Sequence, residues 1–451
     1  SIINEDYLVT PSPSWKNLAL KDKQTIFFNI ADQLEAHRDK IIYFLIHEAG
    51  KTYKDAIDEI REAVDFLRYY AVQAEKISQV RQSLPGPTGE TNDLFYEPKG
   101  VFVCISPWNF PVAIFIGQIA AALITGNSVL AKPSEHTPLL GEIVADIFYD
   151  CGIPTDALQL FHGNGEVGQK LIGCAGINGV AFTGSLETAK KIHQQLSHKA
   201  GPIANLIAET GGLNAMIIDS SSLLEQVVDD ILRSAFNSAG QRCSALRIAL
   251  IHETIYEDLL NLLRDAMKEL WVGSPEEFHC DVGPIIEDRA MTRLENYLQQ
   301  FQDRKFPVFS HNQAPNSGCF IAPTLIELSS LDEIDHEMFG PILHTLPFQV
   351  DNLDNMLSQL VQKGYGLTMG MHSRIEGKVD DLLQKSITGN VYINRDIVGA
   401  VVGSQPFGGT GLSGTGFKAG GPNYLLQFVD ERTVTKNTVA FGGNTDILNL
   451  D

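Results

Sequence analysis

The sequence predicts an α/β protein with two domains, each built around a parallel sheet. Two observations indicate this fold class. From Val101 onward, short β-rich runs alternate with helical patterns of about 10 to 15 residues, and the same alternation starts again after Gly211. Strands separated by such helices pair in parallel through right-handed crossovers. We therefore expect the first of these regions to be a domain of the dinucleotide-binding type.

The first hundred residues are predicted to be mainly helical. Apolar residues recur at a helical period in a segment that precedes His37, and a second helix is predicted over residues 54–77. The apolar positions of the first segment are Ile26, Phe27, Ile30 and Leu34. Residues 82–97, rich in proline and glycine, break this pattern and are predicted to form an excursion such as a hairpin arm.

The alternating region begins with a strand at Val101–Ile105, and Pro138 opens one of its helices after Thr137 as N-cap. Further strands are predicted at residues 128–131, 158–161, 179–183 and 204–207, and helices at 111–126, 138–150 and 186–196. A second α/β unit follows, with strands at 215–218 and 247–251 and helices at 223–238 and 256–270. We divide the chain into residues 1–210, 211–410 and a Gly-rich return segment with a tail, 411–451.

Composition excludes several function classes. The 55 acidic and 34 basic side chains give a formal charge of −21, which repels nucleic acids and anionic lipids. Six cysteines without a CxxC pair indicate reduced thiols and a cytoplasmic location. Residues 101–131 carry no charge, but prolines and polar residues interrupt them, so we expect a buried segment and no membrane span. The first residue is Ser1, so the chain is either processed or part of a longer protein; no metal site is predicted.

Two stretches match the phosphate-binding pattern GxGxxG. The first, from Gly163 to Gly168, follows a predicted strand, whereas the second, from Gly409 to Gly414, has no strand directly before it. In both cases the glycines could simply permit tight turns.

The ends of two predicted strands carry further candidates. Thr183, Gly184 and Ser185 precede a helix, where free backbone N–H groups favour a phosphate, although Ser185 could be only an N-cap. Lys132 and Glu135 follow another strand at the edge where open α/β sheets bind nucleotides. They could bond ribose hydroxyls or form a solvated charge pair.

Two residues are candidates for covalent chemistry. Cys243 lies among small and polar neighbours next to Arg242, which can lower the pKa of a thiol. The other five cysteines have the surroundings of inert buried thiols. Glu209 ends a predicted strand before two glycines, where a carboxylate can act as a base or merely be solvated before a turn.

Taken together, six motifs resemble the aldehyde dehydrogenase superfamily in order and spacing. They are PWNFP from Pro107, KPSE from Lys132, FTGS from Phe182, ETGG from Glu209, GQRC from Gly240 and EMFGP from Glu337. The resemblance implies a Rossmann-like NAD-binding domain over 1–210, an α/β catalytic domain over 211–410 and a small β oligomerisation element, within a homodimer. The run GQRCSA and residues 398–409 are similar to the branch that oxidises L-glutamate γ-semialdehyde. The C-terminal residues 437–450 resemble the dehydrogenase half of bifunctional proline utilization proteins, which carry a proline dehydrogenase domain upstream.

The resemblance also assigns roles. Cys243 is the implied nucleophile, Asn109 an oxyanion donor and Glu209 the base that hydrolyses the thioester. The residues implied to contact NAD are Ile105, Pro107, Trp108, Lys132, Ser134, Glu135, Gly165, Gly168, Thr183, Gly184, Ser185, Gly211, Glu337 and Phe339. Those implied to hold the substrate are Arg242, Ser244, Gly399, Ala400 and Phe407, with Arg242 as a local positive field for its carboxylate. Another carboxylated substrate, such as succinic semialdehyde, is the alternative. Ala189, Thr410 and Phe417 depart from the common pattern, at positions that we expect to leave the chemistry intact.

Overall fold

A computed structural model describes residues 9–78, 81–310, 314–438 and 440. Gly442, Gly443 and Asn444, which contribute to the resemblance to proline utilization proteins, lie outside these residues.

The N-terminal part of the chain surrounds a five-stranded parallel sheet. Its elements are α1 (Pro13–Asn17), α2 (Leu20–Ala36), α3 (Arg38–Ala49), α4 (Tyr53–Ser78), β1 (Gln82–Leu84), β2 (Glu90–Pro98), β3 (Val101–Ile105), α5 (Ala113–Ile124), β4 (Ser128–Lys132), α6 (Pro138–Asp150), β5 (Leu158–Leu160), α7 (Gly165–Gly173), β6 (Ile177–Thr183), α8 (Leu186–His198) and β7 (Asn205–Glu209). The strand order is β5-β4-β3-β6-β7, with every pair parallel. Successive side chains of β3 enter apolar clusters on opposite faces of this sheet, so helices cover both faces.

The second part surrounds a seven-stranded sheet. Its elements are β8 (Asn214–Ile218), α9 (Leu224–Phe236), β9 (Leu246–His252), α10 (Tyr256–Lys268), α11 (Asp288–Asp303), β10 (Val308–Ser310), β11 (Thr324–Glu327), β12 (Ile342–Phe348), α12 (Val350–Gln362), β13 (Tyr365–Gly366), β14 (Thr368–His372), α13 (Glu376–Lys385), β15 (Asn390–Ile393), β16 (Thr410–Gly411) and β17 (Val429–Asn437). The order is β10-β11-β12-β9-β8-β14-β15, and only the β10–β11 pair is antiparallel. The predicted α/β class with parallel sheets is confirmed.

The predicted excursion is a hairpin. Strands β1 and β2 pair in antiparallel fashion, and β17 joins β2 along its whole length to complete a three-stranded sheet. Before β17, the chain returns to the N-terminal part, where the Gly420 N–H donates to the buried Tyr70 hydroxyl at 2.8 Å. Residues 399–421 contact both parts of the chain, since Asn390 of β15 bonds Pro406 and Gly408, and Glu209 of β7 accepts from Gly409.

The structure corrects some expected boundaries. Helix α5 begins at Ala113 rather than at Pro111, because the Glu59 carboxylate accepts the N–H groups of Val112 and Ala113 at 2.8 and 3.2 Å. Thr137 occupies the N-cap position of α6, but its side chain makes no capping bond. The uncharged segment folds as β3, α5 and β4, which are almost entirely buried. Among the described helices, none has the length and apolar character to cross a membrane.

Candidate active site

Two cavities meet at Cys243. The inner cavity has a volume of about 110 Å³ and the outer cleft about 520 Å³. Four residues line both of them: Ile114, Thr183, Thr210 and Cys243. A group on the Cys243 side chain can therefore be reached from two sides.

A left-handed turn leads to Cys243. After α9, Ser238 and Ala239 both have φ of 53°, and Gly240 has φ of 64°. A side chain at Gly240 would meet the Gly340 carbonyl oxygen at 2.2 Å from its Cβ, so only glycine fits there. Beyond the turn, the Asn214 amide donates to the Cys243 carbonyl at 2.7 Å. The nucleophile candidate is thus fixed from both sides.

The thiol of Cys243 is protonated at neutral pH in this state. Burial raises its pKa to about 12, and the charges of Glu337 and Glu209 act in the same direction. The Ser244 N–H and Arg242 oppose this shift without overcoming it. The expectation that Arg242 would give a lowered pKa is therefore wrong here, because desolvation dominates. A base must accept the proton before the sulfur can attack.

Glu209 is a candidate for that proton acceptor. It ends β7 and lines the inner cavity with Cys243, and its carboxylate accepts the Gly409 N–H at 3.2 Å. Burial raises the pKa of Glu209 to about 8, although the Gly409 N–H and Lys418 both lower it. The second glycine-rich stretch, which had no predicted strand before it, therefore supports this carboxylate. Gly414 forms a β-bridge with Glu209 as well.

Asn109 is buried at the outer cleft. One N–H of its side-chain amide donates to the Gln241 carbonyl at 3.1 Å. Gln241 in turn bonds Pro284 and Ile286 through its own amide, at 3.1 and 3.0 Å. These contacts hold the amide beside the segment that carries Cys243.

The outer cleft gathers many of the residues implied to contact NAD. Those that line it are Pro107, Trp108, Thr183, Gly184, Ser185, Gly211, Glu337 and Phe339. Trp108 and Phe339 meet edge to face at 5.8 Å. Arg247 donates to Glu337 at 3.0 Å. Ser185 caps α8 by accepting the Thr188 N–H at 3.2 Å, so the capping alternative holds although the residue also faces the cleft.

The remaining implied cofactor residues line neither cavity. They are Ile105, Lys132, Ser134, Glu135, Gly165 and Gly168. Lys132 lies 3.6 Å from Glu135, and a Cβ at Gly168 would contact Ile105 and Lys132 at 3.5 Å. This second group lies at the carboxyl ends of β3 and β4, on the sheet edge favoured for nucleotides.

All five residues implied to hold the substrate line the inner cavity: Arg242, Ser244, Gly399, Ala400 and Phe407. The sequence reasoning missed Glu62, Phe66, Phe110 and Tyr424, which line it too. A signal for Glu62 exists, since Asp55, Glu59 and Glu62 lie at helical spacing on the side of α4 that is otherwise apolar.

Two buried ion pairs lie beside the inner cavity. Arg242 donates to Asp55 at 2.8 Å, and Lys51 lies 2.7 Å from Glu59, all with buried side chains. Burial raises the pKa of Glu62 to about 7, with Glu59 adding to the effect. Arg242 is thus paired with Asp55, although its charge still lowers the pKa values of Cys243 and Glu62. Ser244 and the backbone of Gly399 and Ala400 remain as neutral groups at the cavity wall.

Comparison with known proteins supports one family throughout the chain. Residues 10–434 match the aldehyde dehydrogenase family. The bifunctional protein PutA of Escherichia coli is 45% identical over 94% of this chain, which spans 32% of that protein. The chain is thus about a third of the length of such PutA relatives. The 1-pyrroline-5-carboxylate dehydrogenase of Geobacillus thermodenitrificans is 34% identical, and the match covers 94% of this chain and 83% of that protein.

Solved structures agree with these relatives. A mutant proline utilization A protein of Bradyrhizobium japonicum superposes with a TM-score of 0.92 and 46% identity, over 95% of this chain and 44% of that one. A Thermus 1-pyrroline-5-carboxylate dehydrogenase with bound NAD has a TM-score of 0.87 and 30% identity, over 94% and 83%. The chain has the aldehyde dehydrogenase fold and belongs to the aldehyde dehydrogenase family.

Proposed function

We propose that this chain oxidises L-glutamate γ-semialdehyde to L-glutamate with NAD, the second step of proline catabolism. The observation that carries the proposal is the single cysteine thiol shared by two cavities, with Glu209 facing one of them and Asn109 the other. The relatives named 1-pyrroline-5-carboxylate dehydrogenase support the choice of substrate.

The outer cleft fits a dinucleotide. A Cβ at Gly211 would lie 1.7 Å from a Glu337 carboxylate oxygen, so the absence of a side chain at Gly211 lets Glu337 take its place in the cleft wall. In this proposal Glu337 bonds the ribose of the nicotinamide half, Phe339 and Trp108 flank it, and Gly184 and Ser185 face the pyrophosphate. Lys132 and Glu135 hold the adenosine ribose, where the carboxylate disfavours a 2′-phosphate. When bound, NAD accepts the hydride that leaves the substrate carbon.

The reaction starts at sulfur. Glu209 removes the Cys243 proton, and the thiolate attacks the aldehyde carbon to form a C–S bond. The amide of Asn109 and the backbone N–H of Cys243 donate to the oxygen that becomes negative. Loss of hydride leaves a thioester on Cys243. Glu209 releases the thiol proton to solvent and then takes a proton from water, whose oxygen attacks the thioester carbon. The C–S bond breaks, glutamate leaves, and the sulfur takes the proton back from Glu209.

The inner cavity holds the far end of the substrate. Ser244 and the N–H groups of Gly399 and Ala400 bond its carboxylate, and Phe407 packs against its chain. The Glu62 carboxylate lines the same cavity and suits the ammonium group. In this proposal the carboxylate binds to neutral donors, since Arg242 is already paired with Asp55.

The test is NADH formation from glutamate γ-semialdehyde by the wild type, Cys243→Ala and Glu209→Gln. We expect no product with Cys243→Ala, because no thioester can form. Glu209→Gln should turn over slowly, because the thiol and the attacking water then both lack their base. Faster turnover of succinic semialdehyde by the wild type would favour that substrate, and full activity in Cys243→Ala would end the covalent mechanism.

The wider organisation is part of the proposal. We assign NAD binding to residues 1–210, catalysis to 211–410 and return plus oligomerisation to 411–451. The three-stranded sheet, whose strand β17 is exposed along most of its length, suits pairing with a second copy in a homodimer. The match to only a third of the PutA length suits a proline dehydrogenase domain upstream on the natural chain. The free cysteines suit a cytoplasmic location.

A further inference from the structure

Three side chains form a closed ring directly before the nucleophile. One Asp55 carboxylate oxygen accepts from Arg242 at 2.8 Å, and the other accepts from the Ser238 hydroxyl at 2.9 Å. Arg242 also donates to the Ser238 hydroxyl oxygen at 3.2 Å. The Asp55 side chain is completely buried. Helix α4 thus binds both ends of the turn 238–242, which we call the nucleophile turn.

The nucleophile turn needs external support. Ser238 and Ala239 both adopt left-handed φ, a conformation that costs free energy for residues with a side chain. A segment with two such residues in succession keeps its shape only where its surroundings fix it. Cys243 follows Arg242 directly, so a movement of the turn would displace the sulfur.

The ring also places a negative charge, that of Asp55, beside Arg242. Burial alone would raise the pKa of Asp55, but the charges of Arg242 and Lys51 hold it below its ordinary value, so Asp55 is ionised. Its negative charge opposes that of Arg242, which still lowers the pKa of the Cys243 thiol. The other titratable groups that act on Cys243 are Glu337, Glu209 and Tyr392.

We propose that Asp55 is a positioning residue for Cys243: it holds the nucleophile turn through Ser238 and Arg242 and opposes the charge of Arg242 beside the thiol. The inference rests on the proposed function for its kinetic consequence, but its effect on the thiol can be measured without any aldehyde. Asp55 contacts neither substrate nor cofactor in this proposal, since it lines neither cavity.

The experiment compares Asp55→Asn and Ser238→Ala with the wild-type chain. The control is Asp219→Asn, because Asp219 is a buried carboxylate that accepts from Ser221 and Ser373 at 2.6 and 3.2 Å and lines neither cavity. Two experiments are made on each variant. Steady-state kinetics give kcat and KM for NAD. Alkylation of Cys243 by iodoacetamide, followed on the Cys243 peptide by mass spectrometry, gives its pH dependence.

Asp55→Asn should lower kcat at least tenfold while KM for NAD stays within about threefold. Its alkylation midpoint should move to lower pH, because Arg242 then acts on the thiol without a counter-charge. Ser238→Ala should lower kcat by a smaller factor and leave the midpoint unchanged, since the ion pair survives. Asp219→Asn should change neither quantity, even where it lowers the melting temperature.

The outcomes separate the two proposals. Wild-type kcat and an unchanged alkylation midpoint in Asp55→Asn would overturn the positioning role. If Asp55→Asn does not fold, Ser238→Ala decides, and unchanged kcat there overturns the role. A wild-type chain that oxidises no glutamate γ-semialdehyde refutes the proposed substrate, while the alkylation shift still tests Asp55.

Discussion

Replacing Gly211 by alanine tests whether NAD binding depends on the position of the Glu337 carboxylate in the outer cleft. The backbone at Gly211 is outside the left-handed region, so alanine is conformationally acceptable there and the substitution acts through its methyl group alone. That methyl carbon would lie 1.7 Å from Oε2 of Glu337. To reach even a tight 3.0 Å contact, the carboxylate must retreat by about 1.3 Å, the difference between these two distances.

The retreat has a calculable effect on cofactor binding. It breaks the bond from the Gly212 N–H to Glu337 or the 3.0 Å bond from Arg247, and it moves the carboxylate away from the proposed ribose. A hydrogen bond to a charged group contributes about 1.5 to 3 kcal/mol. We therefore expect the Kd for NAD to rise roughly 10- to 100-fold in Gly211→Ala.

Isothermal titration calorimetry with NAD measures this loss directly. The matched control is Gly377→Ala in α13, where a Cβ meets no atom within 4 Å. That variant should bind NAD like the wild type and gain about 0.5 to 1 kcal/mol in free energy of unfolding. Unchanged NAD affinity in Gly211→Ala would refute the role given to Glu337 in holding the cofactor.

Two further predictions concern the base and the assembly. Lys418 and the Glu209 carboxylate pack on the same side of Gly408, at 3.2 and 3.0 Å from a Cβ built there, and the Lys418 charge lowers the Glu209 pKa. Lys418→Met should therefore raise the pKa of Glu209 and shift the pH at which steady-state turnover rises by about one unit to the alkaline side of pH 8. Lys418→Arg should keep the wild-type pH profile. Identical pH profiles in all three proteins would contradict the coupling. Sedimentation at micromolar concentration should give twice the 49.5 kDa chain mass, and monomer alone would argue against pairing through the three-stranded sheet.

Local patterns were sufficient for much of the fold. Strand β3 begins and ends where its β-rich run does, and Pro138 opens α6 as expected because proline fits the first helical turn. Helix α3 was not predicted as a separate helix, although the first hundred residues were predicted to be mainly helical. The left-handed Ser238 and Ala239 could not be predicted either, because neither residue type favours that conformation.

The candidate site likewise could be predicted only in part. The site residues next to Cys243 in the sequence were predicted, but the raised pKa of Cys243 and the ion pair of Arg242 were not. The Asp55 that pairs with Arg242 lies 187 positions away in the chain. A pKa depends on every group packed against the thiol, so it follows only from the assembled structure. Glu62 was not predicted as a site residue, because the prediction of its helix used only apolar positions.

Because both cavities share Cys243, the chemical state of this thiol affects both binding sites at once. One covalent adduct on this sulfur obstructs the aldehyde side and the nucleotide side together. Stoichiometric labelling of Cys243 should therefore abolish turnover and weaken NAD binding in the same proportion. The fraction of Cys243 that is labelled, read from its peptide by mass spectrometry, then gives the fraction of active sites that have been blocked.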